Sequence, residues 1–208
     1  TLYGAGAMGG LIKYGMKKPD PTMTEFRVGA GLSDTQDAGN LGWDYRLGMN
    51  VPLVADSVAL RASYASNDIA GYVDNLVDGR KDLNDGKQSS GRVSLLWRND
   101  AASVQFSAMQ QKIDSDDNAA IALDPATMKP VAGLSNYVYV DEPFKKDLDY
   151  YSLAVNWDAG FADFVSATSY SKSNTDFTQD VTVLYGGLLA AAGLPGSSYL
   201  HQTLDMNL

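Results

Sequence analysis

A glycine-rich hexapeptide near the start of the chain matches the spacing of a dinucleotide-binding loop. Gly4, Gly6 and Gly9 stand in a G-x-G-x-x-G pattern, and such a loop holds a pyrophosphate where a strand leads into the N-terminus of a helix. Only three residues precede Gly4, and residues 10–18 are predicted to form a short strand that ends at Pro19. Because neither the preceding strand nor the following helix is available, the pattern does not indicate a nucleotide site.

The chain offers few side chains for catalysis or metal binding. It has no cysteine and one histidine, His201, which excludes disulfides, zinc–thiolate sites, cysteine nucleophiles and histidine clusters within it. No nucleophile–base pair with suitable spacing is found, so we predict that the protein is not an enzyme and carries no cofactor or metal. Acidic residues group at Asp114, Asp116 and Asp117. Solvated loops are the simpler interpretation of such groups, and a divalent-cation site is the alternative.

Composition restricts the class of protein further. The 208 residues carry a formal net charge of −9, which argues against a non-specific nucleic-acid binder. The mean hydropathy is −0.20, and the longest apolar stretch, residues 181–195, is broken by three glycines, so no membrane-spanning helix is predicted. A transmembrane β-barrel remains compatible with this composition, because only alternate residues of its strands must be apolar. No signal peptide is present, so we expect a mature form or an internal piece of a secreted protein.

Apolar residues recur with a period of two along most of the chain. In residues 43–51, Trp43, Tyr45, Leu47, Met49 and Val51 alternate with polar residues or glycine, which predicts a strand with one apolar and one polar face. Similar segments bring the expected number of strands to about seven, and the facing of the last segment is ambiguous. These segments are residues 22–31, 58–67, 91–98, 102–112, 149–157 and 162–172.

The connections between these segments alternate in length. Tight turns are predicted at residues 54–57, 98–101 and 158–161, whereas long polar connections are predicted at residues 31–42, 68–90 and 114–147 and again from residue 174. This alternation is typical of an up-and-down antiparallel barrel of the outer-membrane type, and Greek-key sandwiches disturb it. Trp43, Trp97 and Trp157 lie near strand ends, as an interfacial girdle would place them; ordinary strand aromatics are the alternative. Residues 184–193 are expected to form a short helix.

Charged residues collect on the polar side of the first strands. By strand parity, one side carries Arg27, Arg46, Arg61, Arg92, Glu25 and Asp44. In a barrel this side faces the lumen, so the groups are candidates for contacts that hold a plug and that rearrange during transport. A static cross-strand network is the alternative.

The opening of the chain resembles the end of the plug domain in TonB-dependent outer-membrane receptors. The resemblance rests on Leu2-Tyr3-Gly4, on Gly9-Gly10-Leu11-Ile12 and on Lys17-Lys18-Pro19. Lys13 and Gly15-Met16 depart from the family pattern, and these departures indicate a subgroup of the family. Later segments are also similar to the family's third and fourth strands, at residues 60–63, 71–74 and 91–98.

The resemblance implies both an architecture and an activity. Residues 1–20 would form the C-terminal end of the plug domain, with Leu2, Tyr3, Gly4, Gly9, Gly10, Lys17 and Pro19 as its signature. Residues 21–208 would form the N-terminal part of a transmembrane β-barrel of about 22 strands. The whole protein would lie in the bacterial outer membrane and import a scarce solute, driven by the TonB complex, whose contact segment is expected upstream of Thr1. A ferric siderophore is the first substrate class implied, and carbohydrate, cobalamin and haem are the alternatives. The residues do not decide whether a signalling domain precedes the plug.

Two other classes of function stay open on the residues alone. A passive porin or an adhesin-type barrel would not need the plug-like start, and a soluble β-rich binding domain would leave a large apolar face exposed. Substrate contacts are expected in loops, with Tyr137, Tyr139, Asp141 and Glu142 as candidates. We expect the chain by itself to form an open, curved antiparallel sheet with its N-terminal segment packed on the polar face.

Overall fold

One antiparallel sheet of eight strands dominates the fold in this computed structural model, which describes residues 15–194 and 196–207. Its strands are β1 (Glu25–Ser33), β2 (Gly42–Val54), β3 (Val58–Ile69), β5 (Gly86–Arg98), β6 (Ala102–Ser115), β8 (Phe144–Asp158), β9 (Asp163–Asp180) and β10 (Tyr199–Asn207). They lie in the order in which they occur in the chain. Two short strands, β4 (Asp74–Asn75) and β7 (Ser135–Asn136), form a separate parallel pair, and α1 (Thr182–Ala191) is a single helix.

The all-β prediction is confirmed at the level of an open antiparallel sheet with one short helix. The main sheet has one strand more than the seven expected, because β10 follows after α1. In addition, β9 is longer than expected and ends at Asp180. The helix expected at residues 184–193 is present as α1. The short strand expected for residues 10–18 is wrong where it can be compared, since residues 15–18 form no strand; residues 10–14 lie outside the described part of the chain.

All the short connections lie at one end of the sheet and all the long ones at the other. The short turns are residues 55–57, 99–101 and 159–162, and the third of them uses Gly160 at a positive φ of 80°, which glycine adopts without strain. The long connections are called here L1 (residues 34–41), L2 (70–85), L3 (116–143) and L4 (181–198). The alternation predicted from sequence is therefore confirmed.

The apolar face of the sheet is uncovered. Apolar side chains that a globular domain would bury are open to the surroundings, such as Val28 at 82% exposure and Leu32 at 79%. The extensive contacts of each long strand are with its neighbours in the sheet, and no second layer packs on this face among the described residues. A sheet in an aqueous domain buries its apolar face against another layer, and the described residues supply no such layer for this face.

The apolar side chains form a belt that crosses the sheet obliquely. In β1 the belt runs from Phe26 to Leu32, whereas in β8 it runs from Tyr151 to Trp157. Through the strand registers, Phe26 lies in the same hydrogen-bonded row as Tyr151, so the belt shifts by six residues along the strands between β1 and β8. That shift is about 20 Å along the strands over about 24 Å across them, at ~3.4 Å per residue and ~4.8 Å per strand. The belt therefore lies at about 40° to the rows.

Aromatic rings line both borders of this belt. Toward the short turns, Trp157 stacks on Phe164 with ring centroids 5.3 Å apart. Toward the long connections, Trp43, Tyr45 and Tyr64 form a continuous row with centroid separations of 5.6 and 5.8 Å. Aromatic side chains with a polar atom favour boundaries between apolar and wet surroundings.

Beyond the belt, on the side of the long connections, the same face becomes charged. One hydrogen-bonded row carries residues of alternating sign on five successive strands: Asp68, Lys87, Asp114, Lys145 and Asp176. We call this row the charge ladder. Its ion pairs are long, at 3.7 Å for Lys87–Asp68 and 3.9 Å for Lys145–Asp114, and all of these side chains except that of Asp68 are largely exposed. Such pairs contribute little stability. The ladder therefore matters mainly as the place where this face changes from apolar to polar.

Most of the buried apolar residues of the described chain lie in the long connections. Val73 and Leu83 of L2 are buried together with Val138 of L3. Asn75 joins the two connections, since its side chain donates to the Val138 carbonyl at 2.8 Å and accepts from the Val138 N–H at 3.1 Å. Asn84 accepts from two backbone N–H groups of L2 at 2.8 Å. These connections are therefore packed units that can hold side chains in fixed positions.

Candidate functional site

The segment that precedes β1 lies against the polar face of the sheet. Arg61 of β3 donates to the carbonyl oxygen of Lys18 at 3.1 Å, and Arg92 of β5 donates to that of Lys17 at 3.4 Å. Two arginine side chains therefore hold the backbone of a segment that belongs to neither of their strands. This arrangement agrees with the expected packing of the N-terminal segment on the polar face.

Asn50 of β2 fixes the chain where this segment turns into β1. Its side chain is fully buried. It accepts from the Asp20 N–H at 2.9 Å and donates to the carbonyls of Asp20 and Met23 at 2.8 and 2.6 Å. Pro19 and Pro21 are buried beside it. Sequence reasoning missed Asn50, because strand parity places it on the polar face but does not reveal three backbone partners far along the chain.

The six charged residues assigned to the polar side do share one face. In the strand registers, Asn50 pairs with Glu25 on one side and with Arg61 on the other. Arg92 lies in the same hydrogen-bonded row as Arg27. Glu25 forms ion pairs with both Arg27 and Arg61, the latter at 3.0 Å. Arg46 pairs with Asp44 at 2.7 Å. Their role in holding a plug stays a prediction.

A cavity of about 420 Å³ lies between the N-terminal segment and this face. Five cationic side chains contribute to its lining, namely Lys17, Arg27, Arg46, Arg61 and Arg92. Glu25 and Asp44 are the carboxylates paired with three of these cations. The cavity therefore has an excess of positive charge, although the whole chain is acidic.

L3 presents two of the predicted substrate-contact residues to the outside. Tyr137 and Tyr139 are 41% and 50% exposed, while Val138 between them is buried. Asp141 is exposed and pairs with Arg80 of L2 at 2.6 Å. Glu142 is buried, and both of its oxygens accept hydrogen bonds from within the chain. Contact of these four residues with a substrate stays a prediction, and the geometry favours a positioning role for Glu142.

Three carboxylates connect the two ends of L3 with the start of L4. Glu142 accepts from the Asp180 N–H at 2.6 Å, and its own N–H donates to Asp117 at 3.3 Å. Asp180 accepts from the N–H groups of Tyr139 and Val140 at 2.8 and 3.1 Å. Burial raises the pKa of the Asp117 carboxyl. Burial, together with the nearby Asp117 and Asp180, raises the pKa of Glu142.

Hydrogen bonds link all four long connections in sequence. The Gly39 N–H of L1 donates to Asp82 of L2 at 3.1 Å. L2 is joined to L3 by Asn75 and by the ion pair of Arg80 with Asp141. L3 is joined to the start of L4 through Asp180, whose carboxylate also accepts from the Thr182 N–H at 2.8 Å. The two tyrosines therefore stand on a connected set of loops.

Most of the plug signature lies outside the described residues: Leu2, Tyr3, Gly4, Gly9 and Gly10. Of the two that are described, Lys17 is exposed and Pro19 is buried. Within residues 15–194 and 196–207, no group of three or more His, Cys, Asp or Glu side chains is arranged to hold a metal ion. The acidic group at residues 114–117 is divided, since Asp114 lies in the charge ladder and Asp117 is buried at the base of L3.

Comparison with protein-family models, with curated proteins and with solved structures found no match. In the part of the chain that the structure describes, no helix is both long enough and apolar enough to cross a membrane. The functional assignment therefore depends on the sheet, its two faces and the segment held on the polar face.

Proposed function

We propose that this chain is the first part of the transmembrane β-barrel of a TonB-dependent outer-membrane importer, preceded by the end of its plug. The observation that carries the proposal is the oblique apolar belt. Strands of outer-membrane barrels tilt by about 35–45°, so a belt parallel to the membrane crosses the hydrogen-bonded rows at a similar angle. The belt of this sheet crosses its rows at about 40°, as estimated from the strand registers with ~3.4 Å per residue and ~4.8 Å per strand.

The sorting of the connections supports an orientation in the membrane. Barrels of this type have short turns on the periplasmic side and longer loops outside. In the proposed orientation, the turn at residues 99–101 faces the periplasm and L1 to L4 face the exterior. The charge ladder then lies in the polar layer above the outer border of the belt, and the stacked pair Trp157–Phe164 lies at the periplasmic border.

The segment on the polar face supports active import over passive diffusion. If the polar face lines the lumen, the contacts of Arg61, Arg92 and Asn50 with residues 17–23 hold chain inside the barrel. A plugged lumen needs an energy input to open, whereas an open porin does not. We propose a scarce solute as the substrate and a ferric siderophore as the first class to test. Carbohydrate, cobalamin and haem are the next substrates to test.

Uptake in an outer-membrane host tests the proposal. The full-length protein would be expressed in such a host, and uptake of labelled ferric siderophores would be measured with and without an intact energy-transducing complex. Uptake that requires this complex supports active import. Insertion into the membrane with uptake that does not depend on the complex would contradict active import and favour a passive barrel.

Single arginine variants separate a rearranging contact from a static one. Arg61→Gln removes both the Lys18 contact and the pair with Glu25. If these contacts rearrange during transport, this variant changes the uptake rate while the amount of assembled barrel stays normal. The matched control is Arg98→Gln, because the Arg98 side chain bonds, among the described residues, only to the carbonyl of Asp56 in a short turn. Equal uptake by the two variants would indicate a static network.

A further inference from the structure

The cavity on the polar face contains a cation without an acidic partner. Arg92 is half-buried, and its guanidinium makes two long hydrogen bonds of 3.4 Å, to the Lys17 carbonyl and to Ser107 Oγ. None of the ion pairs among residues 15–194 and 196–207 includes Arg92. Residues 1–14 contain no Asp or Glu, so that stretch of the chain cannot supply a carboxylate either.

The other cations of the cavity do not remove this excess of charge. Glu25 is shared between Arg27 and Arg61, and Asp44 pairs with Arg46. Lys17 lines the same cavity and adds another positive charge. A positive charge that is partly removed from water is costly unless an anion compensates it.

The geometry points to a binding site for an oxyanion, and we propose that the cavity takes a carboxylate or phosphate group of a small solute. A guanidinium presents a planar fork of donors that matches both groups. Arg92 keeps donor capacity for this purpose, since its present contacts are long and go to neutral oxygens. Ser107 Oγ lies beside it, and Ser94 Oγ is 2.8 Å from Ser107 Oγ. The volume of about 420 Å³ suits a small solute or the charged end of a larger one.

This inference rests on the proposed function only for the route by which the solute arrives. If the polar face lines the lumen, the site lies on the path between the loops and the periplasm. Binding can be measured in detergent, without transport. A failure of uptake and a failure of binding are therefore distinguishable.

Calorimetric titration of the full-length protein in detergent tests the site. Succinate and inorganic phosphate serve as the carboxylate and phosphate probes, with chloride at matched ionic strength as the reference. We expect binding of at least one probe by the wild-type protein and an affinity at least tenfold lower in Arg92→Gln. Arg98→Gln is the matched control, and we expect it to bind as the wild type does.

A second variant covers the case in which Arg92→Gln does not fold. The side chain of Arg46 is 75% exposed, so Arg46→Gln is expected to fold normally and to bind the probe severalfold more weakly. The proposal is overturned if neither probe binds the wild type more tightly than chloride does, or if Arg92→Gln binds equally well. A thermal-stability comparison gives another contradicting outcome. The proposal is also overturned if Arg92→Gln lowers thermal stability in the absence of added anion while neither succinate nor phosphate raises the thermal stability of the wild type. An acidic side chain of the full-length protein would then occupy the site.

Discussion

At the scale of single residues, buried polar groups determine where the chain enters the sheet and how the loops close. Asn50 satisfies three backbone groups at the entry to β1, and Asn75 joins L2 to L3. Both are asparagines with buried side chains, and an amide is suited to this position because it donates and accepts at once. Neither could be recognised from sequence, since their partners lie 27 to 63 residues away.

Replacing Asn50 tests the entry contact. Asn50→Leu leaves the Asp20 N–H and the carbonyls of Asp20 and Met23 without their partner, at a cost of about 1–3 kcal/mol in the free energy of unfolding. We expect faster trypsin cleavage after Lys17, because Pro19 protects the bond that follows Lys18. Asn156→Leu is the control, since Asn156 is exposed and makes one bond of 3.2 Å. Equal cleavage rates in both variants would contradict the assignment.

The carboxyls at the base of L3 predict a pH response. Burial raises the pKa of Asp117 and of Glu142 from the ordinary carboxyl value. A carboxyl whose pKa is higher in the folded state binds more protons there, so stability increases as the pH falls from neutral toward the ordinary carboxyl value. We expect amide protection at residues 139–142 to increase as the pH falls from neutral toward the ordinary carboxyl value, after correction for intrinsic exchange. Hydrogen exchange measures this, and Glu142→Gln should weaken the response. Protection that falls over this range would refute the prediction.

At the scale of elements, strand identity was readable from sequence but strand length was not. The predicted segments 91–98 and 149–157 correspond to β5 and β8, which begin five residues earlier, at Gly86 and Phe144. The missing residues all lie toward the long connections, where the face that carries the belt becomes polar or charged. The alternation that identifies a strand depends on one apolar face, so it disappears where the strand leaves the belt. The described part of β10, which the sequence did not predict, lies wholly beyond the belt, and its apolar Leu204 and Met206 lie on the opposite face.

An arginine scan along one face tests the position of the belt. Leu153→Arg places a charge in the middle of the belt, whereas Ser89→Arg places it on the same face beside the charge ladder. A lipid-facing arginine costs about 2–4 kcal/mol at the membrane midplane and about 0–1 near the interface. We expect Leu153→Arg to lower the free energy of unfolding in lipid vesicles by about 2–4 kcal/mol and Ser89→Arg to lower it by about 0–1 kcal/mol. A similar small loss in both would place the face in water.

At the scale of the whole molecule, the proposed function predicts that the two ends of the sheet lie on opposite sides of the outer membrane. The chain contains no cysteine, so single cysteines can be introduced without background. Tyr137→Cys in L3 is expected to react with a membrane-impermeant maleimide on intact cells, because Tyr137 is 41% exposed at the loop end. Asp100→Cys in the short turn is expected to react only after the membrane is permeabilised. Labelling of both on intact cells would reject the proposed orientation.

The fold class and the sorting of connections could be predicted from the chain because they follow from local patterns. The period of two along residues 43–51 and the short polar turns depend on neighbouring residues alone. The candidate site depends on contacts between distant segments, such as Arg92 with Lys17, and no local pattern records them. Strand parity nevertheless identified the face on which Arg27, Arg61 and Arg92 meet.

The charge ladder has a consequence for how the sheet assembles. A slip of two residues between β6 and β8 would keep every side chain on its proper face, so the apolar belt alone does not prevent it. In the native register, Asp114 faces Lys145 and Lys112 faces Asp147. A slip in one direction would set Lys112 opposite Lys145, and a slip in the other would set Asp114 opposite Asp147. Like charges directly opposite each other destabilise a strand pair. These four residues therefore disfavour both slipped registers of β6 and β8 during assembly.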